Sequence, residues 1–220
     1  MKYRTVFDII GPVMIGPSSS HTAGAARIGQ VARTLFAEEP AKADVHFYGS
    51  FAKTYRGHGT DVAVIGGLLG YETNDERIRD AFSQAKNAGL TVQLHEEEAL
   101  TNHPNTVRIQ LRNRGKELEL VGISIGGGKI EIIELNRFAL RLSGNNPAIL
   151  VVHQDRYGVI AAVSNLLAKH ELNIGHMEVS RKEKGEEALM VMEVDQNVEE
   201  SLLKELRSLP HITQVSKIHD

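Results

Sequence analysis

Cysteine is absent from this chain of 220 residues. Without it the chain can form no disulfide bond and can offer no thiolate to a metal ion or an iron–sulfur cluster. Long hydrophobic runs are absent as well, since none reaches the roughly 18 residues that a membrane-spanning helix needs. Nor is there an excess of one charge: the formal net charge is -3 and the pI is about 6.4. The composition therefore gives no general attraction to nucleic acid or to acidic membranes.

The composition that remains is that of an ordinary globular protein, with 41% hydrophobic and 24% charged residues. A chain of this size can form one large domain or two small ones. Its first residues, MKYRTVFDIIG, are too short and too mixed for a signal peptide. We therefore expect a cytoplasmic protein with neither a membrane nor a nucleic acid as its partner.

A cluster of structure-breaking residues, Gly144 to Pro147, predicts a domain boundary. We place the two domains at residues 1–146 and 147–220. In the second domain, strand-like and helix-like segments alternate in the order βαββαβ, which is typical of a ferredoxin-like fold. The predicted strands lie at 149–152, around 177–179, at 188–194 and at 212–218, and the helices at 157–170 and 202–209.

The first domain is predicted to be a mixed α/β domain with a substantial sheet. Apolar residues at helical spacing predict a helix from Ala25 to Phe36. Further helices are predicted at 62–69 and at 75–87, the latter closed by Gly89. Strands are predicted at 45–48, 91–94, 106–111, 117–125 and 129–135, after an apolar segment at 6–10.

The stretch MIGPSSSHTAG places Ser18, Ser19, Ser20, His21 and Thr22 at the start of the first predicted helix. One serine is enough to cap a helix. The surplus hydroxyls, at a helix end that carries partial positive charge, favour an anion site. No Gly-Lys-Ser/Thr follows, so this is not a phosphate-binding loop. We favour a carboxylate site over a simple cap.

A second stretch, YGSFAKTYRGHGTD, places His58 between Gly57 and Gly59. The glycines predict an open loop that presents the histidine, with Lys53 and Arg56 as nearby cations. The alternative is a solvated loop without function.

Two further clusters give weaker signals. Gly126, Gly127 and Gly128 lie between two predicted strands, where a tight turn could meet a ligand. A purely structural turn fits equally well. Residues 95–98, His-Glu-Glu-Glu, are predicted to form a solvated acidic turn, because Ala99 stands where a zinc protease needs its second histidine.

Three segments, taken in order, resemble the β chains of bacterial two-subunit, iron–sulfur-dependent L-serine dehydratases. They are FDIIGPVMIGPSSSHTAGAARIG, YGSFAKTYRGHGTD and SIGGGKIEI. The fold implied for the first domain is similar to the allosteric-substrate-binding domain of some phosphoglycerate dehydrogenases. The second domain resembles an ACT domain in residues 155–158 and in Asn173 and Ile174. Tyr157 stands where most ACT domains have proline.

The resemblance implies an L-serine ammonia-lyase of serine catabolism and gluconeogenesis, which converts L-serine to pyruvate and ammonia. In that family a [4Fe-4S] cluster acts as a Lewis acid on the departing hydroxyl. Because this chain lacks cysteine, the cluster would be bound by a separate α chain, and this chain would hold no metal. The implied catalytic residues are His21, our first choice as acid or base, and His58. The implied substrate-binding residues are Ser18, Ser19, Ser20, Thr22, Gly126, Gly127 and Gly128.

Two other functions remain open at this point. The chain could be a non-catalytic regulatory subunit that binds an amino acid, or a free-standing amino-acid-binding regulator. The ACT domain could bind an effector, or it could serve only to pair two β chains.

Overall fold

A computed structural model describes residues 12–218, which fold as two compact units that divide between Asn136 and Arg137. The apolar segment predicted at 6–10 lies outside the described residues. The domain boundary predicted between Asn146 and Pro147 falls in the loop that follows the first strand of the second unit, and it stays a prediction. None of the helices described within residues 12–218 is both long and apolar enough to cross a lipid bilayer.

The first unit is a mixed sheet with helices, as predicted. Its helices are α1 (Gly24–Phe36), α2 (Gly49–His58), α3 (Thr60–Leu68) and α4 (Ala81–Asn87). Its strands are β1 (Lys42–Tyr48), β2 (Thr91–Glu97), β3 (Asn105–Asn113), β4 (Lys116–Gly126) and β5 (Lys129–Leu135). They are ordered β2-β1-β3-β4-β5, with β1 and β2 parallel and the other neighbours antiparallel.

Helix α1 lies at the centre of this unit. It contacts strand β4 and helix α3. The apolar residues that predicted it are all buried: Ala25, Ile28, Val31, Ala32, Leu35 and Phe36. A period of 3.6 residues places these side chains on the side of the helix that meets its neighbours, which is why this segment is helical here.

Helices α1 and α3 approach each other so closely that their backbones touch. A Cβ atom on Gly67 would lie 2.0 Å from the carbonyl oxygen of Ala26, and one on Gly29 would lie 2.4 Å from that of Val64. Real Cβ atoms do not come that near to backbone oxygens. These two glycines therefore set the distance between the helices.

The second unit begins with β6 (Phe138–Leu142) and continues as a ferredoxin-like fold, which confirms the predicted βαββαβ order. The elements are β7 (Ala148–Gln154), α5 (Val159–Lys169), β8 (Ile174–Arg181), β9 (Glu187–Val194), α6 (Glu200–Ser208) and β10 (Ile212–Ile218). The sheet order is β10-β7-β9-β8, with antiparallel neighbours. Residues of β7 and β9 and of both helices share one buried core.

Three sequence predictions in the first unit were wrong. The stretch around His58 is not an open loop but helix α2, because Phe51 and Tyr55, four residues apart, bury one face of it. The segment from His95 to Glu97 is the end of strand β2 and not an acidic turn. The helix predicted at 75–87 is divided into a 3-10 turn (Glu76–Asp80) and α4, which ends at Asn87 as predicted but has Ala88 and not Gly89 as its C-cap.

Strand β6 was not predicted at all. It has only five residues, in which buried and exposed positions alternate. So short an alternation, next to the cluster of structure-breaking residues, did not indicate a strand. Within the second unit it contacts β8 and β9. The Arg141 backbone N–H donates to a carboxylate oxygen of Glu178 over 2.8 Å.

Substituting Gly67 with alanine should lower the free energy of unfolding by about 1–3 kcal/mol, since the added methyl group overpacks the contact with α1. Gly57→Ala is the matched control. Gly57 is also helical but has open space around its Cβ position, so alanine there should be neutral or stabilising. Denaturant unfolding of both variants makes the comparison. Equal stability of the two variants would contradict the close approach of α1 and α3.

Candidate active site

Residues 19–23 form a single π-helical turn that leads into α1. Ser18 caps it: its Oγ accepts the backbone N–H of His21 over 3.2 Å. The Thr22 N–H donates to the Ser18 carbonyl over 2.8 Å. The predicted helix cap is therefore present. π-Helical turns are rare and are frequent at functional sites, because the extra residue redirects the side chains that follow.

The imidazole of His21 lies between two sets of serine hydroxyls. Its Nδ1 is 3.0 Å from Ser20 Oγ and 3.5 Å from Ser18 Oγ, and those two hydroxyls are 3.2 Å apart. Its Nε2 is 3.1 Å from Ser50 Oγ, at the start of α2. Within residues 12–218, both ring nitrogens thus have neutral oxygen partners and no carboxylate partner.

The second predicted histidine lies next to the first. The rings of His21 and His58 meet edge to face with centroids 4.8 Å apart, and Phe51 contacts His21 in a similar way at 5.2 Å. His58 is the last residue of α2, and its carbonyl accepts the Thr22 hydroxyl over 3.2 Å. Its Nδ1 is buried and makes no hydrogen bond to the described residues.

Burial lowers the pKa of His21, and the neighbouring His58 lowers it further. Both effects disfavour the imidazolium form, one by removing water and the other by charge repulsion. His21 is therefore neutral at neutral pH. A neutral imidazole has one nitrogen that can accept a proton.

The glycine turn that follows β4 reaches the same end of α1. Gly126, Gly127 and Gly128 all have positive φ angles, of 97°, 63° and 75°. The Gly128 carbonyl accepts Arg27 Nη1 over 3.1 Å. A Cβ on Gly128 would lie 3.8 Å from Ala23 Cβ, at the end of the π-helical turn. The structure thus brings the turn next to α1 on the side of Ala23 and Arg27.

The structure therefore brings Ser18, Ser20, His21, Thr22 and His58 into direct contact. Ser19 contributes its carbonyl, which accepts the Gly24 N–H, and its side chain is partly buried.

Sequence reasoning missed Ser50 and Ser124. Ser50 stands inside the second quoted stretch, but 29 residues separate it from His21, and no spacing rule links them. Ser124 is fully buried on β4, and its Oγ makes no hydrogen bond to the described residues. It packs so tightly on Gly24 that a Cβ there would lie 2.1 Å from its Oγ.

A cavity of about 420 Å³ opens beside Thr22 and His58. Its wall includes Arg56 and Arg79, both of which are exposed. Two guanidinium groups at the edge of a small cavity favour an anion such as a carboxylate.

Metal binding was not expected in this chain. In the part of the chain that the structure describes, no three His, Asp or Glu side chains lie close enough together to hold a metal ion. The whole sequence offers no thiolate. The donor set does not fit an iron–sulfur cluster.

Comparison with known proteins shows which family this chain belongs to. Residues 5–93 match the family described as serine dehydratase beta chain, and residues 148–211 match the ACT domain. A protein of Bacillus subtilis (strain 168), named probable L-serine dehydratase, beta chain, is 64% identical over 100% of both chains. This chain belongs to the serine dehydratase β-chain family.

Two other relatives are more distant. The L-serine dehydratase beta chain of Peptoniphilus asaccharolyticus is 37% identical over 97% of each chain. The D-3-phosphoglycerate dehydrogenase of Bacillus subtilis (strain 168) is 25% identical over 88% of this chain and 37% of its own length. The first confirms the resemblance to the family over nearly the full chain. Both His21 and His58 fall within the segment that matches the serine dehydratase family.

Replacing His58 with glutamine should raise the pKa of His21 partway towards its ordinary value of 6.5, because one cause of the shift is removed and burial remains. NMR titration of the imidazole Cε1–H resonance measures this. His176→Gln, an exposed position in the second unit, is the control and should leave the His21 pKa unchanged. An unchanged or lower pKa of His21 in His58→Gln would show that His58 is not a cause of the lowered pKa.

The lowered pKa also makes His21 a source of acid sensitivity. As the pH falls through 6.5, the unfolded chain takes up this proton before the folded protein does. The contribution of His21 to the free energy of unfolding is therefore fully present above pH 6.5. It is lost as the pH falls from 6.5 to the pKa of His21 in the folded protein. His21→Gln should flatten the dependence of the unfolding free energy on pH in this window. An equally steep dependence in the variant would show that His21 does not contribute.

Proposed function

We propose that this chain is the β subunit of an L-serine dehydratase and that it supplies one part of an active site completed by an α chain. The reaction is the conversion of L-serine to pyruvate and ammonia, and pyruvate is a precursor for gluconeogenesis. The observation that carries the proposal is His21, a neutral imidazole among hydroxyls at the start of α1. Full-length similarity to proteins named L-serine dehydratase, beta chain supports the choice of reaction.

The carboxylate of serine is proposed to bind at the π-helical turn. The positive end of the π-helical turn and α1, beside Ser18 and Ser20, favours an anion there. The Thr22 hydroxyl donates to the His58 carbonyl and so holds the turn against α2. Arg56 and Arg79, in the adjoining cavity wall, add positive charge. We include Ser19 and the turn of Gly126, Gly127 and Gly128 in the binding site because they adjoin the same end of α1.

His21 is proposed to take the α-proton of serine. That proton is weakly acidic, so the reaction needs a positioned base that is unprotonated at the working pH. The lowered pKa of His21 provides such a group. Loss of the α-proton and of the β-hydroxyl as water leaves an enamine, which hydrolyses to pyruvate and ammonia. His58 is the second choice for the base, and its contact with His21 helps to keep that ring neutral.

We assign the [4Fe-4S] cluster to the α chain, because this chain has no cysteine to bind it. The naming of the relatives as beta chains supports the existence of such a partner. Clusters bound by thiolates need a reducing compartment, so we place the complex in the cytoplasm. The match of residues 148–211 to the ACT domain supports pairing of two β chains. It also favours the second candidate function, a non-catalytic subunit that binds an amino acid.

His21→Ala should lower kcat by about 10²–10⁴-fold if His21 is the base. The variant is reconstituted with its α chain under anaerobic conditions, and pyruvate formation from L-serine is measured. His58→Ala should cause a smaller loss. His176→Ala, exposed and in the second unit, is the control.

Near-normal turnover of the His21→Ala complex would end the assignment of His21. Near-normal turnover of both the His21→Ala and the His58→Ala complexes would instead favour the non-catalytic regulatory subunit. Co-purification with the α chain and the far-ultraviolet circular dichroism of each variant confirm that assembly and folding are intact.

A further inference from the structure

Ser50 is the only described residue outside the π-helical turn and its cap that hydrogen-bonds the ring of His21. Its Oγ is 3.1 Å from Nε2, whereas the other ring nitrogen, Nδ1, faces Ser20 and Ser18. Ser50 therefore sits where it can decide which of the two nitrogens of a neutral imidazole carries the proton.

Ser50 is itself held firmly. Its N–H donates to the Pro104 carbonyl over 2.7 Å, and its carbonyl accepts the Thr54 hydroxyl over 2.7 Å. Gly49, just before it, has a φ of 55°, and a Cβ there would lie 2.7 Å from the Pro104 carbonyl oxygen. Phe51, just after it, is fully buried. The Ser50 hydroxyl is thus presented to His21 by a rigid first turn of α2.

One backbone donor favours one direction for these hydrogen bonds. The His21 N–H donates to Ser18 Oγ, so the Ser18 proton is free to point at Ser20 Oγ, and the Ser20 proton at His21 Nδ1. With Nδ1 as an acceptor, Nε2 carries the ring proton and donates it to Ser50 Oγ. In the reverse direction Ser18 Oγ would accept twice, from the His21 N–H and from Ser20, and the head-to-tail order in which each bond polarises the next would stop at Ser18.

We propose that Ser50 is a positioning residue that accepts the Nε2–H of His21 and so makes Nδ1, which faces Ser18 and Ser20, the basic nitrogen. This deepens the proposed function and rests on it only in naming His21 as the base. The proposed substrate site surrounds Ser18 and Ser20, so the basic nitrogen faces the substrate. Ser50 does not touch the substrate in this account.

The test is the tautomer of His21 in the full-length chain labelled with ¹⁵N-histidine. Long-range ¹H–¹⁵N NMR distinguishes a protonated from an unprotonated ring nitrogen. The wild type should show Nε2–H alone, Ser50→Ala should show a mixture of tautomers, and Ser50→Thr should restore Nε2–H. Ser83→Ala, an exposed serine on α4, is the control and should match the wild type.

The same variants reconstituted with the α chain give the second readout. Ser50→Ala should lower kcat about tenfold, the value of one hydrogen bond, with KM little changed. Ser50→Thr should recover most of that loss.

Three results would overturn the proposal: an Nδ1–H tautomer in the wild type, an unchanged tautomer in Ser50→Ala, or an unchanged kcat in Ser50→Ala. The first needs no variant, so it holds even where Ser50→Ala fails to fold. Failure of the proposed function has a different signature, because the tautomer is read on this chain without its partner. If His21→Ala keeps its turnover, the base is misassigned while the NMR result for Ser50 stands.

Discussion

The position of helix α1 against its neighbours is the constraint on which the site depends. Gly24 touches the buried Ser124 of β4, and Gly29 touches the backbone of α3. Since no side chain separates these surfaces, the distances from α1 to β4 and to α3 are fixed. The position of the first turn of α1 is fixed with them. The Thr22 hydroxyl then meets the His58 carbonyl at the end of α2, and this contact sets the two histidine rings against each other. The close packing of α1 on β4 and α3 thus helps to determine the geometry of the two imidazoles.

That geometry gives His21 an unusual environment for the base that we propose it to be. Carboxylates commonly orient catalytic histidines and raise their pKa, but here the partners are serine hydroxyls and the neighbour is another imidazole. The pKa of His21 is therefore lowered, and the ring stays neutral. In the proposed function the chain supplies a base, hydroxyls and cations for an anion, and its sequence has no thiolate. These features together describe part of an active site.

Much of this could be predicted from the sequence, because strong periodicity and turn chemistry leave a local signal. Helix α1 and the order of elements in the ferredoxin-like fold follow from such signals. The high density of hydroxyl side chains in residues 18–22 indicated a candidate site. Helix α2 could not be predicted, since only Phe51 and Tyr55 show its buried face among polar residues. Ser50 could not be linked to His21, because only the folding of α2 against the π-helical turn brings them together. The pKa of His21 also depends on that folding.

The central claim is that catalysis needs this chain and an α chain together. The most direct test is serine-dependent pyruvate formation, measured anaerobically for this chain alone, for the cluster-bearing α chain alone and for the two combined. We expect pyruvate only from the combination, together with a stable complex of the two chains. Pyruvate formed by this chain alone, or full activity of the α chain without it, would contradict the account.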